Sequence, residues 1–131
     1  MSTHALIAKK DHDGTVRSVY CHYDGFPQHT GQILRDCYND PAVIDIVMNF
    51  GNLKFITPHV SDIEFYVIDS RIDEKALSHP DAKSFLNYGL KSDSDFLYLF
   101  EQDRWRCWST YSKEEIQLDE NLGEEHLFRK H

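Results

Sequence analysis

Short apolar runs bounded by turn-forming residues open and close this chain, and the stretch between them changes to helical spacing. Residues 3–9, THALIAK, form an apolar run of strand length, followed by Asp11-His12-Asp13-Gly14. Asp-Gly between two strand-like runs is a hairpin signal. The next run, TVRSVYCHY, is rich in β-branched and aromatic residues. Its two faces carry Val16, Ser18, Tyr20, His22 and Arg17, Val19, Cys21, Tyr23, and neither is purely polar. Such a strand is covered on both sides or lines a site. Residues 3–23 are therefore expected to form a β-hairpin.

Asp24-Gly25-Phe26-Pro27 breaks the strand, and a helix is expected over about 27–38 with Pro27 in its first turn, where its missing N–H costs nothing. Ile33, Leu34, Cys37 and Tyr38 share one face of it, with Cys37 read as a small core residue. Asn39-Asp40-Pro41 ends that helix and starts a second over about 41–50, with Asp40 as N-cap. Val43, Ile46, Val47 and Phe50 recur at i, i+3, i+4 and i+7 and predict its buried stripe. Gly51 stands where a C-terminal left-handed residue belongs.

Farther on, LKFI (53–56) and IEFYVI (63–68) have strand composition. A short helix is expected over about 80–88, started by Ser78 or His79 before Pro80. FLYLF and RWRCWST, separated by Glu101-Gln102-Asp103, predict a second hairpin. The fold class that follows is α+β, with a largely antiparallel sheet built from an N-terminal and a C-terminal hairpin and a pair of short helices packed on it. Residues 1–131 read as a single domain, and 112–131 as an acidic, loosely attached segment.

Charge narrows the partners. With 22 Asp and Glu against 14 Lys and Arg, the net charge of −8 argues against binding a phosphate backbone, which needs basic patches. No stretch approaches membrane length, and the N-terminal apolar run is too short for a signal peptide. Three cysteines without C-x-x-C spacing read as reduced thiols, so a cytoplasmic location is expected.

The densest chemistry lies in CHYDGFPQHTG, residues 21–31. Cys21 and His22 are adjacent in a strand, so they face opposite ways and cannot form a nucleophile–base pair. The eight histidines show no metal-ligand spacing, and His4, His12, His59, His79, His126 and His131 read as scattered. No catalytic residue, metal or cofactor is assigned. Binding is the better use of this stretch: Tyr20, His22, Tyr23, Asp24, Gln28 and His29 supply stacking and hydrogen-bonding groups beside a helix start. Arg104, Trp105, Arg106 and Trp108 form a second candidate set, suited to an acidic or phosphate-bearing partner. The two tryptophans occupy opposite faces of one strand, so at least one is expected at the surface or in a site. The competing reading has the Tyr and Trp rings fill the core while Asp24 caps a helix.

The run from Val16 to Tyr38 resembles a segment of small bacteriophage proteins, an aromatic-x-His-Trp/Tyr-Asp-Gly-Tyr/Phe-Pro pattern. Tyr20, His22, Tyr23, Asp24, Gly25, Phe26, Pro27, Gly31, Leu34 and Tyr38 match it, with Tyr23 where Trp is commoner. Residues 95–108 are loosely similar to the aromatic hairpin that closes such proteins. The resemblance implies a phage accessory protein acting in the cytoplasm of an infected bacterium, against a host defence or another host protein. Two modes follow: blocking a host-protein surface, or sequestering a small nucleotide-like ligand, the latter at a site formed by a homo-oligomer. A small metal-assisted or Cys-dependent hydrolase is the alternative class.

Overall fold

The computed structural model describes residues 3–66 and 76–118. Strands β1 (Ala5–Lys10) and β2 (Val16–Cys21) form the N-terminal hairpin, and β4 (Phe96–Glu101) and β5 (Arg104–Ser109) form the C-terminal one. The short strands β3 (Leu77–His79) and β6 (Glu115–Ile116) add to the outer edges, giving the six-stranded order β3-β2-β1-β4-β5-β6. All neighbours are antiparallel except β1 and β4, which run parallel in register Ala5↔Phe96 to Lys9↔Phe100. The α+β class and the largely antiparallel sheet are as expected; the parallel joint between the hairpins is the added feature.

Helices cover both faces of this sheet. Ala5, Ile7, Val19, Cys21, Tyr98, Phe100, Trp105 and Cys107 face one core, shared with Leu34 and Tyr38 at the first helical segment and with helix α2 (Pro41–Phe50). Leu6, Ala8, Val16, Leu97, Leu99 and Trp108 face a second, smaller core with Phe85 of helix α3 (Ala82–Leu90). Two-sided burial is why residues 5–8 show no apolar–polar alternation: all four are buried.

Several expectations change at this level. The helix starting at Pro27 opens with one wide turn, Pro27–Gly31, before α1 (Gln32–Cys37). Its N-cap is Phe26 with no side-chain cap, so Asp24 does not cap it. Asp40 does cap α2, accepting from the Ala42 N–H at 2.9 Å. The buried stripe of α2 is Ile44, Val47 and Met48, while Ile46 is exposed. The apolar spacing is equally helical either way, and the sheet selects the face carrying Ile44. Cys37 is exposed rather than in the core, because Leu34 and Tyr38 mark the buried side of this segment and Cys37 falls off it.

Helix α3 begins at Ala82 with Asp81 as N-cap, not at Ser78 or His79. Those two residues pair instead with Arg17 and Val16 as strand β3. Leu53 and Phe65 make isolated bridges, Leu53 to Cys21 and Phe65 to Leu53, in place of strands over 53–56 and 63–66. The remainder of the run to residue 68 lies outside the described residues, as do 119–131 of the acidic segment. Nearer the sheet, Glu115 and Ile116 pair with β5 and Leu118 is buried. Among the described residues no helix is long and apolar enough to cross a membrane.

Candidate functional site

Three segments meet where β1 and β4 begin and β2 ends. The hairpin register that pairs Ala5 with Cys21 sets His4 opposite His22, and the parallel β1–β4 joint brings Asp95 beside them. The backbone N–H of His4 donates to Asp95 Oδ2 at 2.9 Å, and the His4 carbonyl accepts from the Asp95 N–H at 2.8 Å. The strand end continues past Cys21 through the N–H of His22 and of Tyr23, which donate to the carbonyls of Leu53 and Lys54. The 52–54 segment in turn holds Tyr66, whose N–H donates to the Asn52 carbonyl.

These backbone contacts assemble a ring cluster. His22 stacks on Tyr66 with centroids 3.9 Å apart and planes 12° from parallel, and on His4 at 4.9 Å and 26°. Tyr23 meets His22 edge-on at 4.4 Å. Tyr20 lies 5.7 Å from both imidazoles and 5.9 Å from Tyr66. The edge-on contact of Tyr23 is among the favoured geometries for aromatic pairs.

Hydrogen bonds set the tautomers. His4 Nδ1 lies 2.6 Å from the His22 carbonyl, an acceptor only, so His4 carries its proton on Nδ1. Tyr20 Oη lies 2.8 Å from His22 Nδ1 and 3.0 Å from His4 Nδ1. Its proton therefore goes to His22 Nδ1, which leaves His22 protonated on Nε2. Neither Nε2 has a hydrogen-bond partner among the described residues, so His4 offers a lone pair there and His22 an N–H. Burial, reinforced by the charges of Tyr66, Cys21, Asp93 and Asp95, pushes the Tyr20 phenol up to about 12, which keeps it a donor at any physiological pH. Burial first, and the neighbouring His4 second, lower the His22 pKa and keep that ring neutral near pH 7.

Gly25 makes the meeting of strands possible. A Cβ placed there would lie 2.8 Å from Ala5 Cβ and 2.9 Å from the His4 carbonyl carbon. Its N–H donates to the Thr3 carbonyl at 2.8 Å, and its carbonyl accepts from the buried Tyr98 hydroxyl at 2.7 Å. Asp24 before it has φ 56° and stays exposed, while its carbonyl accepts from Thr30 Oγ1.

The structure thus brings Tyr20, His22 and Tyr23 together and adds His4, Tyr66 and Asp95, while Asp24 follows Tyr23 in the chain with no side-chain contact to the rings among the described residues. Gln28 and His29 sit in the wide first turn of the helix, half-buried. His29 lies 6.0 Å from Phe26, and its Nε2 is buried without a hydrogen-bond partner among the described residues. The second candidate set is elsewhere, on β5 across three strands of the sheet. Trp105 and Trp108 are both buried, one in each core, so neither is the surface tryptophan expected. Trp105 Nε1 donates to the Tyr38 carbonyl at 2.7 Å. Arg106 is held by Glu101 at 2.8 Å and Glu115 at 2.7 Å and lies over Trp108, while Arg104 is exposed at the start of β5.

Two of the three thiols are poorly placed for nucleophilic chemistry. Cys21 and Cys107 are buried, and desolvation pushes both thiols up to about 12. Cys21 faces the larger core, away from the ring cluster. Among the described residues no three His, Cys, Asp or Glu side chains converge to hold a metal ion. No protein-family model, no curated protein and no solved structure matches this chain.

Proposed function

We propose that this chain works by binding, as a phage accessory protein that occupies a protein of the infected bacterium and so counters a host defence or another host process. The observation that carries this reading is the ring cluster of His4, Tyr20, His22, Tyr23 and Tyr66, which ends in an exposed Tyr23 rather than in a catalytic group. The phage resemblance falls on the same residues, since the Tyr20-to-Pro27 segment builds the cluster, the close approach at Gly25 and the helix start. The host-protein mode is favoured over ligand sequestration because His22 already stacks against two rings. A nucleobase would have to displace one of them to stack on that imidazole.

Tyr23, the exposed ring of the cluster, is 41% exposed, and an exposed tyrosine of this kind suits a protein interface. The test is affinity purification of the tagged chain from infected host cells, alongside a His22→Ala/Tyr23→Ala variant checked for folding by circular dichroism. The wild type is expected to retain a specific host protein that the variant releases. A folded variant that retains the same protein, and the same host-inhibitory effect, excludes the cluster as the binding surface.

A further inference from the structure

Resting on that reading, we infer that the ring cluster recognises a cationic side chain, an arginine of a basic segment on the partner protein. The acceptors around the rings carry the argument. Asp24 follows Tyr23 directly and Asp95 is bonded to the His4 backbone, and both are exposed, as is Asp93 two residues before Asp95. The charges of Asp93 and Asp95 also reach the Tyr20 phenol. No ion pair holds Asp24, Asp93 or Asp95 among the described residues. Four other carboxylates are held by cations: Asp11 and Asp45 by Lys9 and Arg17, and Glu101 and Glu115 by Arg106.

Carboxylates without a cation, set beside electron-rich rings, form a surface whose complement is a cation. A tyrosine face attracts a guanidinium through its quadrupole, and the flat guanidinium stacks where an ammonium does not. His4 Nε2 adds an acceptor, so the N–H donors of an arginine have the Asp95 carboxylate, with Asp93 two residues before it, and one imidazole nitrogen to address. The chain's net charge of −8 favours the approach of a basic segment as a whole. The molecule already uses the same chemistry internally, where Arg106 lies 4.8 Å over the Trp108 ring between two glutamates.

The probe is an acetyl-Gly-Arg-Gly-Arg-Gly-amide peptide titrated into the full-length protein and followed by histidine and tyrosine NMR signals. Its citrulline counterpart keeps the shape and removes the charge. Expected are saturable shifts of the His4, His22 and Tyr23 resonances with the arginine peptide, and none with citrulline. Affinity should fall about tenfold in Tyr23→Ala and in Asp95→Asn. It should be unchanged in Asp103→Asn, which removes the same charge at the far end of β4. Equal weakening by Asp103→Asn, or shifts spread over the whole surface, reduces the effect to net charge and overturns the proposal. So does equal binding of the citrulline peptide. If the peptide fails to bind while Tyr23→Ala still releases the host protein, cation recognition is wrong and the binding surface stands. If the peptide binds but host capture ignores Tyr23, the functional reading is the one that fails.

Discussion

The hydroxyl of Tyr20 sits between two imidazoles, 2.8 Å from His22 Nδ1, to which it donates, and 3.0 Å from His4 Nδ1–H, from which it accepts, and so ties the two ends of the N-terminal hairpin together. A phenol that stays protonated is a fixed donor, and a donor aimed at Nδ1 favours the neutral imidazole.

Tyr20→Phe keeps the ring contacts and removes that donor. Two effects are expected. Stability falls by about 1 kcal/mol, the usual net value of a hydrogen bond of this kind. The His22 pKa, now held low, rises toward its ordinary 6.5, because Nδ1 is no longer occupied by the phenol proton. Histidine titration by NMR reads the second effect, and an unchanged His22 curve would show that burial alone sets its protonation.

Part of this arrangement was legible in the sequence and part was not. Asp13-Gly14 marks the first hairpin, but a two-residue turn there would set His4 opposite Tyr23; the longer loop, with the Asp11 N–H donating to the Thr15 carbonyl, shifts the register by one and sets His4 opposite His22. Treating His4 as one of several scattered histidines missed that pairing. Asp95 lies 91 residues from His4 and arrives only through the parallel β1–β4 joint, which a strand buried on both faces does not announce. Tyr66 depends on the single bridges at Leu53 and Phe65, which have no local pattern. The tryptophans fail for a related physical reason. Alternation on β5 separates two faces correctly, but both faces here are core, so opposite sides do not mean one side in water.

Gly25→Ala tests how tightly the strands must approach. The added methyl would meet Ala5 Cβ at 2.8 Å and backbone atoms of His4 and Ala5 at 2.9 and 3.0 Å. Backbone cannot yield as a side-chain tip does, so a loss of roughly 1–3 kcal/mol is expected in chemical denaturation. His4 should also move relative to His22, which would shift both imidazole signals in the folded protein. Wild-type stability together with unshifted imidazoles would mean that the two segments lie farther apart than the structure places them.

The three thiols should separate cleanly by reactivity. Cys37 is exposed, while Cys21 and Cys107 are buried with their thiols raised to about 12. Since the thiolate is the reactive form, Ellman's reagent is expected to titrate one thiol in the native protein and the other two only on unfolding. Cys37→Ser should abolish the fast phase without changing the slow one. A second fast thiol would show that one of the cores opens readily.

His79 supplies the acid limit of stability. Its ring is buried against Phe85 and Tyr88, its Nε2 lies 2.9 Å from Ser18 Oγ, and burial lowers its pKa below 6.5. The sign follows from proton linkage. Below pH 6.5 the unfolded chain binds a proton there that the folded one refuses, so stability is complete above that pH. It is lost as pH falls from 6.5 toward the lower folded value, by at most about 1.4 kcal/mol per pH unit for one histidine. His22 acts in the same direction. The carboxylates with lowered pKa, Asp11, Asp45 and Glu115, start from 3.8 or 4.5 and contribute only at lower pH, so the windows separate. Urea unfolding at pH 7.5, 6.5 and 5.5 should therefore show a falling free energy in the wild type. His79→Phe paired with Ser18→Ala removes the titrating ring together with the hydroxyl it would orphan, and should flatten the slope. An equal slope in both proteins would place the acid sensitivity at His22 or at the surface histidines instead.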